Sequence, residues 1–136
     1  MSRPPRTVYL VSCVKGKRRR PARAKDLYTS DWFKKARAYV ETGFTPWFIL
    51  SAKYGLVAPN RIIRPYDVTL LRMSAKQRRA WSSAVERRMK TVCRPSSRLV
   101  FLAGLRGSNE PHHRVSRQQS KAPNERRRHV HIVRSG

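Results

Sequence analysis

Apolar residues fall along this chain in two patterns. Three blocks are nearly continuous: Thr7-Val-Tyr-Leu-Val-Ser-Cys13, Trp47-Phe-Ile-Leu-Ser51 and Arg98-Leu-Val-Phe-Leu-Ala103. Short apolar runs rich in β-branched and aromatic residues, bounded by turn formers, read as buried strands. Two stretches between them have a helical period instead. In the first, Ser30 or Asp31 can cap by accepting from orphan N–H groups. Trp32 or Phe33, Ala36, Tyr39 and Val40 then share a face, and Gly43 ends the helix. The second opens on Ser74-Ala-Lys-Gln77, which has the form of a capping box. It runs to about Val92 with Trp81, Val85 and Met89 as its apolar stripe and Ala84 and Val92 beside them. Alternation of strand and helix implies right-handed crossovers and a mostly parallel sheet. The expected fold class is therefore α/β, a small Rossmann-like three-layer fold, over residues 7–104. Residues 1–6 read as a basic arm. Residues 105–136 read as a basic low-complexity tail, disordered over 106–128 with a weak strand at 130–133, because few apolar residues and many charges cannot offset ordering entropy.

Charge changes the picture most. The 136 residues carry 32 Lys+Arg against 7 Asp+Glu, a formal net charge of +25. Such self-repulsion opposes compaction and favours a polyanionic partner, and a basic excess of this kind is the footprint of a nucleic-acid binder. The expected partner is nucleic acid, DNA ahead of RNA, or a nucleotide. Cys13 and Cys93 form no metal spacing, which fits a reduced, cytoplasmic compartment. No apolar run is long enough for a membrane helix. The start of the chain is too short in apolar length, and too basic behind, for a signal peptide.

The candidate chemistry gathers at the strand ends. Ser12-Cys13-Val14-Lys15-Gly16-Lys17 follows the first strand, and Ser51-Ala-Lys53-Tyr54-Gly55 follows the second. In a parallel sheet these ends share one rim, where ligands of open α/β folds bind. Tyr28 and Ser30, at the start of the first helix, point the same way. Tyr66 and Asp67 join them if the loop after the second strand folds back. Lysines and helix starts at one rim favour an anion, most simply a phosphate. Arg18, Arg19 and Arg20 can add phosphate contacts. Cys13 reads first as a small buried hydrophobe; as a nucleophile it would need a thiol pKa lowered by Lys15 and Lys17. Ser12 and Ser51 can equally serve the backbone at strand ends. No His precedes position 112, so the folded part has no Ser-His-Asp or Cys-His triad. There is no Walker loop and no Gly-x-Gly-x-x-Gly, and no cofactor or metal is expected.

Four motifs carry a resemblance: Ser12-Cys13 with Lys17, Asp26-Leu-Tyr-Thr-Ser30, Leu50-Ser-Ala-Lys-Tyr-Gly-Leu56 and Pro65-Tyr-Asp-Val-Thr-Leu70. In this order they resemble an uncharacterised domain of bacteria and their phages. They are also similar to the signature of the YaaA peroxide-stress family, and more distantly to the core domain of archaeosine synthases. The resemblance covers residues 8–104. It implies an α/β domain associated with nucleic acids or modified bases, and it groups Ser12, Cys13, Lys17, Tyr28, Ser30, Ser51, Lys53, Tyr54, Tyr66 and Asp67 in one site. Of these, Ser12, Cys13, Lys17, Ser51, Lys53 and Asp67 are the expected catalytic set. Lys15, Arg18, Arg19, Arg20, Tyr28, Ser30, Tyr54 and Tyr66 are the expected binding set. After Gly104 the chain departs from the resembled pattern of a Tyr-rich segment and a further helix. A frameshifted or degraded C-terminus is the simplest account. Three readings stay open: a domain acting in base modification or repair, a non-enzymatic basic DNA/RNA binder, and a non-functional truncated family member.

Overall fold

A computed structural model describes residues 6–12, 16–104, 114–116 and 130–135. The three expected strands form as β1 (Thr7–Ser12), β3 (Trp47–Ser51) and β6 (Arg98–Gly104), and they are parallel neighbours with β1 in the middle. β4 (Gly55–Val57) turns back antiparallel on β3. On the other side β8 (Val130–Ser135) runs parallel to β6, and β7 (Arg114–Ser116) closes the edge antiparallel to β8. The sheet order is β4-β3-β1-β6-β8-β7. The architecture is thus mixed α/β with a sheet whose four central strands are parallel.

Two stretches of the C-terminal segment are among the described residues. Arg114–Ser116 falls within the stretch read as disordered, yet it is a strand. The weak strand expected at 130–133 extends over Val130–Ser135 and adds to the main sheet. The remaining residues of 106–128 lie outside the described residues. Parallel pairing to β6 shields one whole edge of that strand, a tertiary gain that local composition does not reveal.

The helices cover the two faces of the sheet. α2 (Asp31–Glu41) is capped by Ser30, whose hydroxyl accepts from Phe33 N–H at 3.2 Å. It buries Phe33, Ala36 and Val40 against Val11, Ile49, Val57, Val100 and Leu102. Tyr39, expected on that face, is instead 60% exposed and meets Tyr9 edge-on at 5.8 Å. α3 (Ala75–Val92) forms its full capping box between Ser74 and Gln77. It packs Val85 and Met89, with Cys93 just after it, against Val8, Leu10, Leu56 and Leu99 of the opposite face. Here too the stripe is narrower than expected, since Ala84 and Val92 are exposed. Alternate residues of β1 divide between the two clusters, as the two-residue strand period requires.

The short helix α1 (Ala24–Leu27) follows β2 (Ala22–Arg23), which pairs antiparallel with β5 (Ile62–Ile63). This two-stranded ribbon ties the segment after β1 to the loop after β4. Ala24 N–H donates to Arg61 O at 2.8 Å and Lys25 N–H to Pro59 O at 3.0 Å. Arg37 reaches from α2 to Asp26 at 2.7 Å and to the Lys25 carbonyl at 3.0 Å. The loop is thereby held over the α2 face.

Candidate nucleotide-binding rim

The carboxyl ends of β1, β3 and β6 lie at one edge, as the register demands. Ser12 pairs with Leu50 on one side and Ala103 on the other. From β1 the chain crosses to β3, then returns past β1 to β6, so strand order reverses at β1. In open α/β sheets that reversal opens the ligand crevice.

Ser51 ends β3 wholly buried, and its hydroxyl accepts from Tyr54 N–H at 3.0 Å. Its carbonyl accepts from the Trp81 indole N–H at 2.9 Å, which fixes the first half of α3 to the same strand end. Ser51 therefore holds a turn. The turn reverses the chain into β4 through Gly55, whose φ of +72° suits glycine, and it sets Tyr54 over the α2 face. Ser12 shares its face with its register partner Leu50, in the α3 cluster, whereas Ser51 follows Ile49 onto the α2 face. The two serines are adjacent along the rim but project to opposite sides.

On the α2 side three tyrosines converge. The loop after β5 folds back so that the Tyr66 and Tyr28 hydroxyls are 2.6 Å apart. Their rings meet edge-on, with centroids 6.5 Å apart, and Tyr54 meets Tyr66 the same way at 5.8 Å. The Tyr54 hydroxyl accepts from Arg64 N–H at 3.3 Å. Cations line the rings. The Lys17 ammonium sits 4.4 Å from the Tyr66 centroid and 5.8 Å from that of Tyr28. Lys53 and Arg61 lie 5.4 and 5.7 Å from the Tyr54 ring. Lys17 is held by its bridge to Tyr28 and by Thr29 N–H donating to Gly16 O at 3.0 Å.

The residues expected in one site thus divide. Lys17, Tyr28, Lys53, Tyr54 and Tyr66 come together, with Ser51 beneath and Ser30 capping α2 beside them. Asp67 is exposed next to Tyr66. Arg18, Arg19 and Arg20 are exposed on the loop leading to β2. Cys13 and Lys15 lie outside the described residues. Arg61 joins the cluster and Trp81 braces the strand end from the α3 side; neither role shows in the sequence. Arg61 sits in a loop whose return to Tyr54 depends on the two-residue β2–β5 pairing, too short to show a period. The spacing of Trp81 places it in the helix core, and spacing carries no sign of its indole hydrogen bond.

The fold and rim define a small basic α/β domain with a cation-lined tyrosine cluster at the carboxyl end of its sheet. The chain belongs to DUF6884, a family of unknown function, whose model matches residues 8–127. It is also 42% identical over 50 residues to the uncharacterized protein YfjM of Bacillus subtilis (strain 168). That stretch is 36% of this chain and 33% of YfjM, so the chain spans about a third of that relative's length. No solved structure matches it. No helix among the described residues is long and apolar enough to cross a membrane.

Proposed function

We propose that this protein is a YaaA-like, nucleic-acid-associated domain whose rim binds a nucleotide within a DNA or RNA strand, in the setting of base modification or repair. The observation that carries the reading is the tyrosine trio Tyr28, Tyr54 and Tyr66 interleaved with Lys17, Lys53 and Arg61. Aromatic faces with adjoining cations suit bases joined by phosphates, because every base has a π-face and every linkage an anion. In this reading a base stacks on Tyr66 in place of the Lys17 ammonium, which then turns to the neighbouring phosphate. The helices on both faces of the sheet support a Rossmann-like three-layer relationship to the YaaA and archaeosine synthase domains, and the reversal at β1 supports a ligand crevice there.

A non-enzymatic role is the second reading, favoured by Ser51. Its burial and its bond to Tyr54 N–H suit a scaffold better than a nucleophile. One experiment separates a built site from general attraction to a polyanion. Binding of a fluorescent single-stranded oligonucleotide is followed by anisotropy across a salt series. Tyr54→Ala and Tyr66→Ala each lose about 1–3 kcal/mol of affinity, the worth of one stacked base, with the salt slope unchanged. Full affinity in both variants refutes the rim as the site.

A further inference from the structure

We infer that α3 is a second nucleic-acid surface, one that straddles a groove of a duplex and grips the phosphates on either side. Lys76, Arg79, Arg87 and Lys90 fall on one outward line of this helix at its 3.6-residue period, and all are exposed. Between the two pairs the line carries Ala80 and Ser83, with Glu86 at its edge beside Lys90, all exposed. Arg79 and Arg87 are eight residues apart, or about 12 Å along the axis, and the B-DNA major groove is about 12 Å wide. A gap lined mainly by small residues and flanked by long cationic arms is the shape such a crossing needs.

Three of the four cations on this face are also uncompensated. Glu86 is the helix's sole acidic residue, and among the described residues it pairs with Lys90 at a loose 4.0 Å. Lys76, Arg79 and Arg87 make no ion pair among the described residues. Like charges three and four residues apart destabilise a helix, so this stripe opposes the fold that carries it unless a polyanion neutralises it. A membrane surface fits poorly. An interfacial helix needs a free apolar face, and the apolar stripe of α3 is already packed on the sheet through Val85 and Met89. The outward line has no large apolar side chain to insert.

The inference shares with the rim proposal the assumption that the partner is a nucleic acid, but not the site. The test compares the full chain with a quadruple variant, Lys76→Gln, Arg79→Gln, Arg87→Gln and Lys90→Gln. The probes are a 20-base-pair DNA duplex, a single-stranded oligonucleotide and poly-glutamate. For the duplex, the slope of log affinity against log salt becomes shallower by about 3.6, from four lost phosphate contacts at about 0.9 each. Duplex affinity falls by about tenfold or more at low salt, while binding of the single strand through the tyrosines persists. The half-variants, Lys76→Gln with Arg79→Gln and Arg87→Gln with Lys90→Gln, each give about half the slope change. A duplex slope unchanged in the quadruple variant overturns the inference and leaves the rim reading intact. An equal loss for poly-glutamate and duplex overturns it in favour of an acidic protein partner. Tyrosine variants without effect, beside a changed duplex slope, overturn the rim reading and leave α3 standing. Circular dichroism melts guard against misfolding: relief of like-charge repulsion should leave the variant's Tm equal or higher.

Discussion

Replacing Ser51 with Ala separates a scaffold from a catalyst. The side chain is fully buried, and its hydroxyl accepts the Tyr54 N–H at 3.0 Å. Alanine fills nearly the same volume, so no cavity of consequence opens. What is lost is the acceptor, and Tyr54 N–H, partly buried, is left without it. A net hydrogen bond is worth about 0.5–1.5 kcal/mol, and an unsatisfied buried donor about 1–3 kcal/mol. The expected destabilisation is therefore about 1–2 kcal/mol, a Tm lower by about 4–8 °C for a chain of this length. Urea unfolding followed by circular dichroism, with an unchanged m-value, is the assay. Tyr54→Phe is the control. It removes only the exposed acceptor of Arg64 N–H, so it costs less than about 0.5 kcal/mol. If Ser51→Ala matches the wild type in stability while ligand handling is abolished, the turn argument fails and the hydroxyl acts in chemistry.

Three further outcomes follow from the geometry. In a double-mutant cycle with Tyr28→Phe and Tyr66→Phe, the 2.6 Å hydroxyl pair gives a coupling of about 1 kcal/mol in unfolding free energy; additivity would mean that the two hydroxyls do not support each other. Gly16→Ala destabilises more than Gly55→Ala: both carry φ above +70°, but a Cβ at Gly16 meets Thr29 Oγ1 at 2.8 Å, whereas at Gly55 it meets Val85 Cγ2 at an ordinary 3.5 Å. The common backbone strain is about 1–2 kcal/mol, and equal losses would show that the Thr29 contact relaxes freely. The third outcome is a pH dependence. The Arg37 hydrogen bond, helped by its charge and those of Lys25 and Arg18, holds the Asp26 carboxyl below its ordinary 3.8. Its contribution to stability is complete above 3.8 and is lost as pH falls through the lower folded-state value. In Arg37→Gln the Asp26 titration, read by NMR, moves back up; no movement would sink the pairing.

The apolar blocks made three of the four central strands legible, because a buried parallel strand needs an unbroken run of bulk and each run had turn formers beside it. The α3 start was equally plain, since a capping box is local chemistry. Elements stabilised from a distance were not legible. β4 has three residues and follows a tight turn, so it read as loop. β2 and β5 have two residues each and exist through their mutual pairing. β8 was legible as a weak strand, but its place beside β6, far away in sequence, was not. The same division runs through the site. Lys17, Tyr28, Tyr54 and Tyr66 were found because motif and strand end coincide. The opposite facing of Ser12 and Ser51 follows only from the register of β1 against β3. The outward line of α3 is visible in the sequence as a charge run, but that three of its four cations make no ion pair among the described residues required the structure.

The central claim is that the tyrosine-lined rim receives the nucleotide. Amide chemical-shift mapping of the full chain against a single-stranded oligonucleotide tests it most directly. The largest shifts are expected at Lys17, Lys53, Tyr54 and Tyr66, saturating together and retained at moderate salt. Shifts confined to the arginine-rich loop at Arg18, Arg19 and Arg20, or to α3, with the tyrosine cluster silent, would contradict it.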